Sequence, residues 1–83
     1  MFMSNHNLNY EYNIAFDILY IKFEDTEDSY GHEEDYGVVL NYDYQTKKLV
    51  GVDIWDFKRR IEQKENIILP FEIDVDKIYQ EVN

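Results

Sequence analysis

Seven carboxylates, Glu24, Asp25, Glu27, Asp28, Glu33, Glu34 and Asp35, fall within twelve consecutive positions that contain no Lys or Arg. So much like charge in one stretch repels itself, and is tolerated when it is solvated, bound to cations or offered to a basic partner. General acid and base catalysis needs two groups held at fixed separation in environments that drive their pKa values apart, and a solvated loop supplies neither condition. Calcium wants six to eight oxygens from a flexible loop, but counting back from Gly31 puts Thr26, Asp28 and Tyr30 where alternating Asp or Asn ligands belong. His32 with Glu33 or Glu34 lacks a third ligand, and neighbours along an extended chain point to opposite sides. No Ser or Cys is spaced with His6 or His32 for nucleophilic catalysis, and no Gly-rich phosphate cradle is present. No catalytic residue, metal ligand or cofactor site is therefore assigned.

Two readings of the run remain. One is an ordinary solvated loop, with Trp55 in the core. In the other the loop is a partner-binding surface made of Glu24, Asp25, Glu27, Asp28, Tyr30, Glu33, Glu34, Asp35 and Tyr36. There, carboxylates would steer a basic partner, while Tyr30, Tyr36 and Trp55 would anchor it.

The elements flanking the run must hold it. Leu8 to Asn13 alternates Leu8, Tyr10 and Tyr12 with polar residues, which predicts a first strand. Ile18 to Glu24 predicts a second, with Leu19, Ile21 and Phe23 on one face. The short link Ile14–Asp17 favours antiparallel pairing over a crossover, with Phe16 folding back over the core. Val38, Leu40 and Tyr42 define a third strand, and Val50, Val52 and Ile54 a fourth, joined as a hairpin through 44–48. Gly37 opens the third strand, and Gly51 signals a bulge or a close crossing. Asp56 is the expected cap of a helix from Phe57 to about Gln63, with Phe57 and Ile61 inward and Lys58, Arg59, Glu62 and Gln63 outward. Ile67–Leu69 before Pro70 predicts an extended segment and a candidate fifth, edge strand. Asp74 precedes a one-sided stripe of Val75, Ile78, Tyr79 and Val82, which predicts a terminal helix docked on the sheet. Asp17 and Asp43 lie at strand ends. They could form a buried pair, but turn or capping hydrogen bonds explain them more economically.

These elements make an α+β domain: an antiparallel sheet of four or five strands with one or two short helices packed on one face. Eighty-three residues suit a single domain, 1–83, which hides only about 60–65% of the unfolded chain's surface and is marginally stable. Its 45% hydrophobic residues exclude a disordered acidic tail. The net charge of −10 opposes direct contact with nucleic acid or an anionic membrane and favours basic protein surfaces. The absence of Cys leaves packing, or a homodimer, to hold the core. The Met1–Asn7 segment lacks a basic leader and no apolar run reaches about 20 residues, so a cytoplasmic protein is expected. Lys58-Arg59-Arg60 with Lys64 is the one basic cluster. It is read as a solvated helix face, or as a patch that meets a second copy's acidic loop.

Tyr12, Asp17, Leu19-Tyr20-Ile21, Phe23, Gly37, Tyr42-Asp43, Leu49-Val50-Gly51, Ile54, Asp56 and Arg59-Arg60-Ile61 together resemble a small bacterial family, domain of unknown function 2283. The resemblance spans about residues 10 to 61, within a family-like core of 7–61, with 62–83 as an extension. It implies a β-rich miniature domain without assigned enzymatic activity. The occurrence of some members beside toxin-like genes suggests, by association, an antitoxin or inhibitor. Asn13 replaces a frequent Asp, and Phe57-Lys58 replaces a small residue and Ser, so no activity resting on that Ser carries over. The expected function is a non-enzymatic domain that binds a basic protein partner. The alternatives are a phage-borne nucleic-acid mimic directed at a host defence nuclease, anti-CRISPR-like in its action, and a structural homodimer.

Overall fold

A computed structural model describes residues 9–82; the readings of His6 and Leu8 lie outside the described residues. Five strands, β1 (Asn9–Asn13), β2 (Ile18–Lys22), β3 (Ser29–Asp35), β4 (Val38–Asp43) and β5 (Leu49–Trp55), are followed by helices α1 (Phe57–Glu62) and α2 (Val75–Val82). They form one antiparallel sheet in the order β1-β2-β5-β4-β3. The expected α+β fold is therefore the one found.

The period of two in each strand assigns the faces. Tyr12, Leu19, Ile54 and Val38 form one cross-strand row, and Tyr10, Ile21, Val52 and Leu40 the next. Both rows belong to the core or pack against it, together with the fully buried Phe57 of α1 and Ile78 of α2. The opposite face has its own rows. Glu11, Tyr20, Asp53, Val39 and Glu33 make one, and Asn9, Lys22, Gly51, Asn41 and Gly31 another.

Four sequence expectations change. The fifth strand is β3, formed from residues read as part of a loop, and not Ile67–Leu69, which lies outside the sheet while Ile67 and Leu69 pack on the core. Phe16 does not fold over the core and is 71% exposed. Trp55 ends β5 on the open face, 51% exposed, and is not a core residue. Asp56 sits in left-handed geometry with no side-chain cap bond to α1. Gly37 precedes β4 in the β3–β4 turn, at φ 72°, a conformation that favours glycine. No helix of the described residues is long and apolar enough to cross a membrane.

Candidate functional site

The acidic residues are spread along one side of the sheet. Glu24, Asp25, Glu27 and Asp28 lie in the connection from β2 to β3; Tyr30, Glu33, Glu34 and Asp35 belong to β3, and Tyr36 to the turn after it. At about 3.4 Å per residue β3 is roughly 20 Å long, and its three acids, Glu33, Glu34 and Asp35, occupy its last three positions. The sequence reading of a single polyanionic loop is thus corrected to a short connection followed by an acidic edge strand.

Hydrogen bonds with residues at and just beyond the two ends of β4 fix both ends of this edge. The Asp28 carbonyl accepts from the Tyr44 N–H at 3.0 Å, and the Thr26 hydroxyl donates to Asp43 at 2.6 Å. Asp43 also accepts from the backbone N–H groups of Gln45 and Thr46, at 2.8 Å each. The Thr26 and Thr46 donors hold its carboxyl at a pKa of about 2, against a slight opposing effect of burial. This is the turn role expected of Asp43. At the far end Glu33 accepts from the Gly37 N–H at 3.1 Å, which caps the β3–β4 turn and removes Glu33 from the free acids. Lys22 lies 3.6 Å from Asp25 and His32 lies 3.5 Å from Glu34, both exposed pairs of small energetic weight. Among the described residues, no ion pair engages the side chains of Glu24, Glu27, Asp28 or Asp35.

The aromatic candidates separate. Tyr30 stacks on Tyr42 at 5.7 Å between ring centres, meets Tyr44 edge-on at 5.8 Å, and lies beneath the Lys47 ammonium. Tyr36, at the other end, is 69% exposed. The neighbouring Gly37 carbonyl accepts from the Trp55 N–H at 2.8 Å, which brings Tyr36 and Trp55 to the same end of the sheet.

Arg60, expected with Lys58, Arg59 and Lys64 on a solvated basic face or a patch for a second copy, is instead buried and holds this end in place. Only 3% exposed, it donates from Nη1 to the Tyr36 carbonyl and from Nη2 to the Asn66 carbonyl, at 2.9 Å each. The available signal was its place three residues after Phe57, on the face it shares with Ile61. Two other members of the basic cluster are also engaged within the chain. Arg59 pairs with Asp56 at 3.3 Å and Glu65 at 2.9 Å, and Lys58 lies over the Tyr12 ring.

Asp17 and Asp43 are not a buried pair. The Asp17 carbonyl accepts from the Phe57 N–H at 3.0 Å, and its two carboxylate oxygens from the N–H groups of Lys58 at 2.8 Å and Arg59 at 3.2 Å. It therefore caps α1 from the β1–β2 turn. The Tyr12 hydroxyl donates to the same carboxylate at 2.6 Å. Burial pushes the Asp17 pKa up, but the Tyr12 hydroxyl and the two helix N–H groups together outweigh it and leave it below the ordinary value. Burial and the bond to Asp17 push the Tyr12 phenol up.

On the open face Asp53 accepts from the Asn41 side-chain amide at 3.0 Å, beside a groove of about 190 Å³ that Tyr20 and Lys22 also line. Burial raises its carboxyl pKa and the Asn41 bond opposes that only in part. A raised folded-state value makes this ionised group a cost above that value, and the cost fades as pH falls to the unfolded value. Asp53→Asn is accordingly expected to raise Tm at neutral pH, with the gain vanishing in melts below about pH 4. An equal gain at every pH would show that charge is not the cause.

Among the described residues, no group of three or more His, Asp and Glu side chains is arranged to hold a metal ion. No family model, curated protein or solved structure matches this chain.

Proposed function

We propose that the chain is a small binding domain that acts without chemistry, presenting the acidic edge of its sheet to a basic protein partner as an inhibitor or antitoxin would. The observation that carries this reading is the set of outward-facing acids along β3 and the connection before it, with no ion pair to Glu24, Glu27, Asp28 or Asp35 among the described residues. Tyr36, in the turn after β3, and Trp55, at the end of β5, stand exposed at the same end of the sheet. Concentrated negative potential accelerates encounter with a cationic surface, and exposed aromatic rings supply affinity once water is excluded. The resemblance to domain of unknown function 2283 is part of the same proposal. Carboxylates placed at both ends of an extended strand, in the connection before β3 and in its last three residues, also suit a nucleic-acid mimic, which would compete with DNA or RNA for its target's basic groove.

The test uses the tagged full chain as bait in extract of its source cell, beside a variant carrying Glu27→Gln, Asp28→Asn, Glu34→Gln and Asp35→Asn. Glu33 is left unchanged because it caps the β3–β4 turn. The variant should melt normally and bind a captured basic protein at least tenfold more weakly at low salt, with the difference shrinking as salt is raised. Equal capture by both forms would remove the reading. Displacement of the partner by DNA or RNA would select the mimic.

A further inference from the structure

The backbone of β3 specifies how a basic partner would dock. In an antiparallel ladder, residues alternate between those bonded to the neighbouring strand and those whose N–H and C=O groups point away from it. Tyr44 N–H bonds to the Asp28 carbonyl, so the pairs Tyr30 with Tyr42 and His32 with Leu40 carry the β3–β4 bonds. Ser29, Gly31 and Glu33 therefore turn their backbone groups outward. β3 is last in the strand order, and from Ser29 to Glu34 every residue is exposed. A register shift between Glu33 and Asp35 closes the usable stretch at that end.

Edge strands are commonly shielded by proline or lysine, or by covering elements. Among the described residues this one has none of these, and on the open face its outward-bonding positions begin with the small residues Ser29 and Gly31. Its protection is negative charge. Antiparallel pairing with a second copy centred on Gly31 would set Glu34 beside Asp28 and Asp35 beside Glu27, and in-register parallel pairing would set each acid beside itself, so self-pairing is disfavoured. A cationic strand would meet an attractive field and three unpaired backbone positions.

We infer that the partner contributes an extended, basic segment that joins the sheet as a sixth strand antiparallel or parallel to β3, with backbone hydrogen bonds to Ser29, Gly31 and Glu33. This rests on the functional reading above and adds its geometry. Main-chain bonds would supply affinity and charge at alternate side chains would supply selection. The other edge, β1, carries a single acid, Glu11, and lacks that selection.

The probe is a ten-residue peptide of alternating Lys and Val, tested beside the same sequence with every peptide nitrogen methylated, which keeps the charge and removes the donors. Both are titrated at low salt into the full chain, with amide exchange followed residue by residue. The expected result is at least tenfold slower exchange at Ser29, Gly31 and Glu33 with the first peptide, and at least tenfold weaker binding of the methylated one. Equal binding of the two without protection would overturn strand addition while leaving the charged-surface reading standing. Failure of both to bind would overturn both readings. Protection confined to β1, or concentration-dependent protection of β3 without peptide, would assign the edge to another occupant and overturn the inference.

Discussion

Replacing Asp17 with alanine is expected to destabilise the protein by about 3 kcal/mol. Loss of a capping side chain costs about 0.5–2 kcal/mol, and leaving the partly buried Tyr12 hydroxyl without its acceptor adds about 1 kcal/mol or more. Asp17 also sits at φ 55°, a left-handed conformation that Asp and Asn tolerate and alanine resists at a cost of roughly 1 kcal/mol. For a domain of this size that corresponds to a fall in Tm of roughly 10–20 °C. Asp17→Asn, which tolerates the backbone and can still accept a bond, should recover much of the loss. The contribution of the charge itself is read from pH. The depressed folded-state pKa of Asp17 means that its charge-dependent stabilisation is fully present above the ordinary carboxylate range and disappears as pH falls through the depressed value. Melting curves across pH 2–7, interpreted with a carboxylate reference near 3.9, should therefore show wild type and Asp17→Asn converging in acid. Equal Tm values for wild type and Asp17→Ala at neutral pH would refute the capping role.

Gly51→Ala is the second large effect. A methyl group at Gly51 would lie 2.6 Å from the Ile21 carbonyl oxygen, a backbone atom of the adjacent central strand that cannot move without disturbing the ladder. Overpacking of this kind costs about 1–3 kcal/mol, offset by roughly 0.4–1 kcal/mol from the reduced freedom of the unfolded chain. A net loss of about 2 kcal/mol is expected for alanine, and denaturation for Gly51→Val. Urea unfolding of the alanine variant measures this directly; a midpoint at or above wild type would contradict the close approach.

The elements with apolar alternation were legible in the sequence because burial on one face imposes a period of two. Leu19 and Ile21, Val38 and Leu40, and Val52 and Ile54 all fall on the face assigned to them. β3 was not legible. Gly31, Glu33, Glu34 and Asp35 have low strand preference, and both faces of the segment are exposed, so no pattern marks it; pairing with β4 alone makes it a strand. Ile67–Leu69 misled in the opposite sense, since Ile67 and Leu69 reach the core while the segment stays outside every ladder. Local capping rules pointed to Asp56, immediately before α1, but that residue turns left-handed and Asp17 arrives from the far hairpin. No periodicity within the helix could announce that. The acidic composition of the site could be read directly, whereas its distribution along an edge, the withdrawal of Glu33 and the support from Arg60 depend on tertiary contacts.

The strand order has a kinetic corollary. β1–β2 and β3–β4–β5 are each built from neighbours in sequence, and the seam between β2 and β5, which pairs residues as distant as Ile18 and Trp55, is the long-range ladder that joins them. Closing that loop is the entropically costly step, so the two meanders can assemble independently and dock late in folding. Asp17 and Gly51 both lie at this junction. Their substitutions should consequently accelerate unfolding more than they retard refolding, making the seam the determinant of how long each native molecule survives.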